Sequence, residues 1–359
     1  MKILFFMHET TWSGAPIQLL HLITWLKEHG EEVAVAVPKP DSAESGPISD
    51  ALAQAGVPIF PIVNLAAPPD LAEMKRLCAL FDTVVANTLV MWAAVRAANE
   101  QGVPVLWYIH ESLVARHLIA HMPEIQPALD LADLLVMPTR RTAGLYTEWT
   151  ARPIEVVPYG IPEVRPGLTH SAPAEMTFLL LGTYEPRKGQ DLLLQAIGNL
   201  EPSLQKKATF RLAGRVLDRP YHEALVREAA KLPSVQLLGP LSHEDALAAT
   251  ATSDVLVCAS RDETMPVAIL EAMSLSRAII TTAVGGVAEW LRDGENALLV
   301  PPEDSPALAA ALCRCLDDRA LVDSLGKNAR QTFLDNFSLE QLGRRFSALL
   351  ERLRGEKTA

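Results

Sequence analysis

Two carboxylates with an unusual setting give the first chemical signal. Glu263 lies in the run Ser260-Arg261-Asp262-Glu263-Thr264-Met265-Pro266-Val267, and Glu271 follows. An apolar segment, Asp254–Cys258, ends just before this run, and Pro266 suits the first turn of a helix. Backbone N–H groups at Met265 and Val267 would then be left without intrahelical partners and could donate to hydroxyls or to an anion. Glu271, five residues beyond Pro266, would sit roughly 7.5 Å further along the helix axis. The two carboxylates could thus touch different parts of one extended ligand, and both are better used as acceptors for hydroxyls than against a phosphate, because like charges repel.

Four more clusters fall at similar junctions. Gly182-Thr183-Tyr184-Glu185-Pro186-Arg187-Lys188-Gly189 places two cations at a helix entrance. That end of a helix prefers anions, so the cations make sense with a bound anion between. Thr11-Trp12-Ser13-Gly14-Ala15-Pro16 offers a glycine at a helix N-terminus, where the backbone can approach a ligand closely. Trp107-Tyr108-Ile109-His110-Glu111-Ser112 brings His110 to the end of an apolar run. Gly285-Gly286-Val287-Ala288-Glu289 again permits close approach. Taken singly, each of these also fits an ordinary turn or a solvated charge.

The elements that must carry these clusters alternate. Apolar strands are expected at Lys2–Met7, Val33–Val37, Val57–Val63, Thr83–Ala86, Val105–Ile109, Leu134–Met137 and Ile154–Val157, with helices between them, from about Pro16 to His29, at Leu89–Glu100 and at Thr139–Thr150. Short apolar strands alternating with helices predict a parallel sheet covered on both faces. Pro158, Gly160, Pro162, Pro166, Gly167 and Pro173 then crowd together and read as a linker. The alternation restarts with strands at Thr177–Leu181, Thr209–Ala213, Val235–Leu238, Asp254–Cys258, Ala278–Thr281 and Ala297–Val300, with helices such as Gln190–Leu200 and Val267–Leu275, and closes on a helix at Leu339–Arg354. In doubly wound sheets ligands bind beyond the carboxyl ends of the strands, which is where all five clusters fall.

Composition narrows the classes. The net charge is −11, which disfavours a general nucleic-acid binder. The apolar start is short and soon interrupted, and no long apolar run follows, so neither a signal peptide nor a membrane span is expected. The four cysteines, Cys78, Cys258, Cys313 and Cys315, form no Cys-x-x-Cys pair and are expected to be reduced, as in a cytoplasm. His117 and His121 share a helical spacing but lack a convincing third metal ligand. There is no Asp-x-Asp, no Gly-x-Ser-x-Gly and no Walker A loop.

Together these motifs resemble the retaining glycosyltransferase family 4, with its GT-B fold. Glu263 and Glu271, with Pro266 and Glu271-Ala272-Met273, match the family's Glu-x7-Glu motif. Gly182 to Gly189 matches its glycine–lysine-glycine segment, Gly285-Gly286 with Glu289 its Gly-Gly loop, and Asp293-Gly294-Glu295-Asn296-Ala297 with Leu299-Val300 a further conserved stretch. The resemblance implies two Rossmann-like domains facing across a cleft: residues 1–165 binding the acceptor, with the C-terminal helix 337–355 packing back on them, and residues 166–336 binding the nucleotide-sugar donor. It implies that Lys188 contacts the donor diphosphate, with Thr183 and Arg187 nearby. Glu271 would take the ribose hydroxyls, and Glu263 the sugar hydroxyls with Thr264, Met265, Pro266 and Val267. Gly14 would approach the diphosphate, and His110 would lie beside the transferred sugar. Ser13, Asn87, Thr88 and Glu111 are the expected acceptor contacts. Catalysis would rest on His110, Glu263 and Lys188, with no metal or other cofactor and a UDP or GDP sugar as donor.

One position departs from the family. Where an arginine usually follows the first glycine of the lysine segment, this chain has Thr183, and Arg187 or Arg215 is expected to supply the missing charge. The expected acceptor is a glycan, a lipid-linked sugar or a small molecule. The apolar stretch Leu113–Met122 allows weak contact with the inner face of a membrane. Two alternatives share the architecture: a sugar-nucleotide epimerase, and a non-catalytic nucleotide-sugar-binding subunit, which Thr183 alone favours.

Overall fold

The computed structural model describes residues 1–39, 46–63, 65, 70–164 and 175–358. Pro166, Gly167 and Pro173 of the expected linker lie outside the described residues. The chain divides into two compact units, Met1–Pro162 with Phe337–Ala359 (unit 1) and Glu163–Asn336 (unit 2).

Among the described residues, unit 1 carries a seven-stranded parallel sheet. Its strands are β1 (Lys2–Phe6), β2 (Glu32–Pro38), β3 (Ile59–Ile62), β4 (Thr83–Asn87), β5 (Val105–Tyr108), β6 (Leu134–Met137) and β7 (Ile154–Val156), in the order β3-β2-β1-β4-β5-β6-β7. Unit 2 carries a six-stranded one: β8 (Met176–Leu181), β9 (Ala208–Ala213), β10 (Val235–Gly239), β11 (Val255–Cys258), β12 (Ala278–Thr282) and β13 (Leu298–Val300), in the order β10-β9-β8-β11-β12-β13. Each order reverses once, between β1 and β4 and between β8 and β11. The central strands, such as Ile3-Leu4-Phe5-Phe6, are buried along their length because helices cover both faces. Edge strand β10 alternates between half-buried and exposed residues.

Apolar packing fills each unit separately. In unit 1 Trp107, Tyr146 and Phe6 lie fully buried between sheet and helices. In unit 2 Phe178 and Phe210 stack across paired strands with centroids 5.0 Å apart. Helix Leu339–Thr358 belongs to unit 1 and lies against helix Gly14–Glu28. Trp25 Nε1 donates to Glu340 Oε2 at 3.0 Å, and Phe346 meets Tyr108 at 5.3 Å. Gly343 permits this contact, since a Cβ there would stand 2.2 Å from the Trp25 ring.

The structure differs from the sequence reading in two ways. Pro158–Pro162 is not linker: Tyr159 and Ile161 are buried, and the Ile161 N–H donates to the Phe337 carbonyl at 3.0 Å. Two apolar side chains in a proline-rich stretch are enough to anchor it. Helices Pro47–Gln54, Leu71–Cys78 and Arg319–Asn336 are not named in that reading. The last is long and amphipathic, burying Val322, Leu325, Gly326, Ala329 and Phe333 at helical spacing.

Replacing Trp25 with Ala should lower the stability of unit 1 by about 3–5 kcal/mol, because it leaves a cavity and strands the Glu340 contact. Thermal unfolding followed by near-ultraviolet circular dichroism measures this, and an unchanged midpoint would show that the C-terminal helix is held by other contacts.

Candidate functional site

In unit 2 the reversal of strand order lies between β8 and β11, and the loops after these two strands carry the charged cluster. Lys188 closes the short turn Pro186–Lys188 after β8, and its Nζ pairs with Glu263 Oε1 from the loop after β11. Arg187 Nη1 stands 3.4 Å from the same oxygen, and Ser260 Oγ donates to it at 3.2 Å. Three donors thus converge on Oε1. The Lys188 ammonium keeps N–H groups beyond the one it gives Glu263.

Close backbone approach makes this convergence possible. Gly189 has φ +68°, and a Cβ there would meet the Ala259 carbonyl oxygen at 2.0 Å. Gly285 has φ +57°, and its Cβ would fall 1.5 Å from the Glu263 carbonyl oxygen. Gly286 N–H donates to the Thr264 carbonyl at 2.9 Å, which fixes the Gly-Gly loop to the Glu263 loop. Met265 is buried, so what it can present is its backbone. Helix Val267–Ser274 starts at Pro266 without a side-chain cap, and helix Gln190–Gly198 starts at Gly189 without one. The helices after β9, β10 and β13 are instead capped by Asp218, Ser242 and Asp304. Neither helix at the reversal is capped by the side chain of its own N-cap residue; the Asp191 N–H of the first donates to the Tyr221 hydroxyl at 3.1 Å, and the positive ends of both favour an anion.

Glu263 and Glu271 are only 8% and 7% exposed, so neither is a solvated surface charge. Glu271 Oε1 takes a contact from His243 Nε2 at 2.8 Å. That bond raises the His243 pKa above its usual 6.5, against the opposing effect of burial. His243 is absent from the sequence reading, and its distance along the chain from Glu271 left no signal. The Thr183 hydroxyl donates to Glu185 Oε1 at 2.6 Å, and Arg187 Nη2 holds the same oxygen at 3.0 Å. Arg215 lies beside Thr183 instead. The pairing of β8 with β9 continues past the strand ends, where Tyr184 N–H donates to the Arg215 carbonyl at 2.8 Å and Tyr184 bridges Val216. This register sets Thr183 opposite Arg215 along the backbone. Arg215 is exposed, and among the described residues no carboxylate pairs with it.

Unit 1 places its own cluster at the reversal between β1 and β4. Ser13 precedes helix Gly14–Glu28 without capping it, its hydroxyl donating to Glu9 Oε1 instead. A Cβ on Gly14 would meet nothing within 4 Å, so the local fold does not require glycine there. Asn87 ends β4, and its Oδ1 accepts from His110 Nε2 at 2.6 Å. The proton therefore sits on Nε2, and Nδ1 accepts from the Tyr159 hydroxyl at 2.9 Å. Burial, helped by His8 nearby, lowers the His110 pKa to about 3, so the ring is neutral near pH 7. Thr88 has φ +75° and ψ 157°, a strained conformation for a β-branched residue. Its N–H donates to the Tyr108 carbonyl at 2.8 Å, and its carbonyl accepts from Trp107 Nε1 at 2.7 Å.

Glu111, an expected acceptor contact, also has a structural part in unit 1. Its Oε2 accepts the N–H groups of Leu89 at 2.9 Å and His110 at 3.1 Å, so it ties the ends of β4 and β5 together. The physical reason is local: two amides beyond the strand ends have no ladder partner, and the adjacent carboxylate supplies one. The rings of His117 and His121 lie with centroids 4.0 Å apart, tilted by 40°.

Comparison with known proteins fixes the family. The model for Glycosyl-transferase family 4 matches residues 1–158, and the model for Glycosyl transferases group 1 matches residues 175–318. The chain belongs to glycosyltransferase family 4. This family 4 chain is 29% identical over 165 residues to alpha-D-kanosaminyltransferase of Streptomyces kanamyceticus, covering 46% of this chain and 42% of that protein. It is 27% identical over 300 residues to D-inositol 3-phosphate glycosyltransferase of a Nocardioides species, covering 72% of this chain and 64% of that protein. The chain thus spans less than two thirds of these curated relatives. The crystal structure of HepE from Anabaena in complex with UDP superposes with a TM-score of 0.85 at 19% identity, covering 98% of this chain and 100% of that one. That likeness shows the GT-B fold.

The His243–Glu271 pair gives a pH signature. A histidine whose folded pKa lies above its unfolded value stabilises fully below 6.5, and the contribution is lost as pH rises through the folded pKa. Replacing His243 with Gln should remove that part of the decline in thermal midpoint between about pH 6 and 8, a change below about 1 kcal/mol because the imidazole is partly exposed. Calorimetric midpoints across this range test it, and parallel curves for both proteins would contradict it.

Proposed function

We propose that this chain is a retaining glycosyltransferase that moves a sugar from a nucleotide diphosphate sugar to an acceptor hydroxyl without a metal. The observation that carries the reading is the cluster of Lys188, Glu263 and Glu271 at the strand-order reversal of unit 2, between two uncapped helix ends. Breaking a glycosyl–phosphate bond builds negative charge on the leaving diphosphate and positive character on the sugar carbon. Lys188, Arg215 and the positive ends of helices Gln190–Gly198 and Val267–Ser274 would stabilise the leaving charge, the work a divalent cation performs elsewhere. Glu263 and the backbone at Thr264, Met265 and Val267 would hold the sugar hydroxyls, and Glu271 the ribose.

Arg215, rather than Arg187, is the proposed replacement for the charge lost at Thr183. Arg187 is already held by Glu185 and Glu263, whereas Arg215 is the exposed register partner of Thr183. His110, neutral and hydrogen-bonded at both ring nitrogens, would act beside the sugar as a fixed polar group rather than as a titrating base. The donor phosphate would then help to deprotonate the acceptor, and no protein nucleophile is needed. Ser13, Asn87 and Thr88 are the proposed acceptor contacts. HepE's complex with UDP supports trying a uridine nucleotide first. No helix among the described residues is long and apolar enough to cross a membrane. Exposed Leu113 and Val114 beside Arg116 support a weak peripheral contact with a lipid-linked acceptor.

Thermal stabilisation by UDP, GDP and their sugars, with no metal added, tests the donor reading. A nucleotide at 100 times its dissociation constant should stabilise by about 2.7 kcal/mol. Replacing Lys188 or Arg215 with Ala should each weaken binding by about 1.5–3 kcal/mol, the worth of a charge-assisted hydrogen bond. No stabilisation by any nucleotide would point to a non-catalytic scaffold, and full affinity in the Arg215→Ala protein would reject its phosphate role.

Replacing Gly14 with Ala separates folding from binding. Its Cβ meets nothing in the protein, so the thermal midpoint should hold or rise slightly, while donor affinity should fall at least about tenfold, or about 1.4 kcal/mol. Unchanged affinity would remove Gly14 from the donor site.

A further inference from the structure

We infer that Arg261 is a positioning residue that holds the Lys188 turn and the Glu263 loop against each other, with Asp191 as its anchor. The inference rests on the donor-site reading but concerns residues to which that reading gives no role. Lys188 and Glu263 come from loops far apart in sequence, and their productive geometry depends on how firmly those loops are joined.

Arg261 joins them from four directions. It lies two residues before Glu263, and its backbone N–H donates to the Arg187 carbonyl at 2.7 Å. Its guanidinium crosses to the far loop, where Nη1 and Nη2 grip Asp191 Oδ1 and Oδ2 at 2.9 and 2.8 Å. Nη1 also donates to the Pro186 carbonyl, and Nε to Glu303 Oε1. Pro186 and Arg187 belong to the turn that carries Lys188, and Asp191 lies in the first turn of the helix that follows it. The anchor is itself held, because the Tyr221 hydroxyl donates to Asp191 Oδ1 at 2.7 Å. Burial alone would raise the Asp191 carboxyl, but the Arg261 fork and Tyr221 outweigh it and hold it below its usual range.

These bonds define the kind of role. Four of the five guanidinium N–H groups are used on protein partners, so Arg261 acts through Lys188 and Glu263 rather than on a substrate phosphate. A planar fork is needed to hold both Asp191 oxygens while Nε reaches Glu303. Lysine, a point charge, would keep the attraction and lose the orientation.

The test is calorimetric titration of the full chain with UDP and GDP, together with steady-state rates where an acceptor is found. The Arg261→Lys, Arg261→Ala and Asp191→Asn proteins should bind nucleotide at least about tenfold more weakly than wild type, and the Arg261→Ala/Asp191→Asn double variant no more weakly than the worse single change, because the pair acts as one unit. The donor KM should rise while the acceptor KM stays constant, a split that loss of stability alone would not produce. The brace is refuted if the folded Arg261→Lys and Asp191→Asn proteins bind nucleotide as wild type does while Lys188→Ala does not. Failure of wild type to bind any nucleotide would instead overturn the donor reading, and the brace with it.

Discussion

Parallel strands cannot be joined without a crossover, and a crossover must cover one face of the sheet or the other. When strand order reverses, consecutive crossovers leave in opposite directions, and the loops at that point separate. This constraint organises each unit. It parts the loops after β8 and β11, which carry Lys188 and Glu263, and those after β1 and β4, which carry Ser13 and Thr88. The sheet does not choose the chemistry. It fixes where backbone amides, glycines and charged side chains can converge without being needed for packing.

What fills the opening is an exchange of caps. The helices after β9, β10 and β13 are closed at their amino ends by Asp218, Ser242 and Asp304, whereas those at the reversal begin at Gly189 and Pro266, residues with no side-chain acceptor. Leaving an N-terminus uncapped forfeits stability of about 1 kcal/mol. Two such ends beside a lysine and two buried glutamates are a local cost maintained where a ligand can offset it. The glycines serve the same end differently. Gly189 and Gly285 are demanded by their own backbones, while Gly14 is demanded by nothing in the protein.

Much of this was legible in the sequence because its signals are local. Apolar runs marked the strands to within a residue or two, and glycine, proline and charge clusters marked the loops after them. The brace from Arg261 to Asp191 was not legible, since both residues are ordinary charges in sequence and only the fold makes them a pair. His243 and Tyr159 escaped for the same reason. The structural part played by Glu111 was not legible, because a carboxylate beside a strand end looks alike whether or not it also holds two orphaned amides. The helix Arg319–Asn336 had a readable stripe, but it follows another helix closely and breaks the alternation that guided the reading.

Helix Leu339–Thr358 has a consequence for how the molecule is made. Unit 2 is an insertion between two parts of unit 1, and the last part supplies the residues that cover Trp25 and Tyr108. During synthesis, the second unit can complete its core as soon as it emerges. The first, although begun earlier, must wait for some 170 residues of other structure before its final helix arrives. Over that interval its apolar face is bare to the cell, which makes early unit 1, rather than unit 2, the part of this chain most exposed to chaperones and to aggregation.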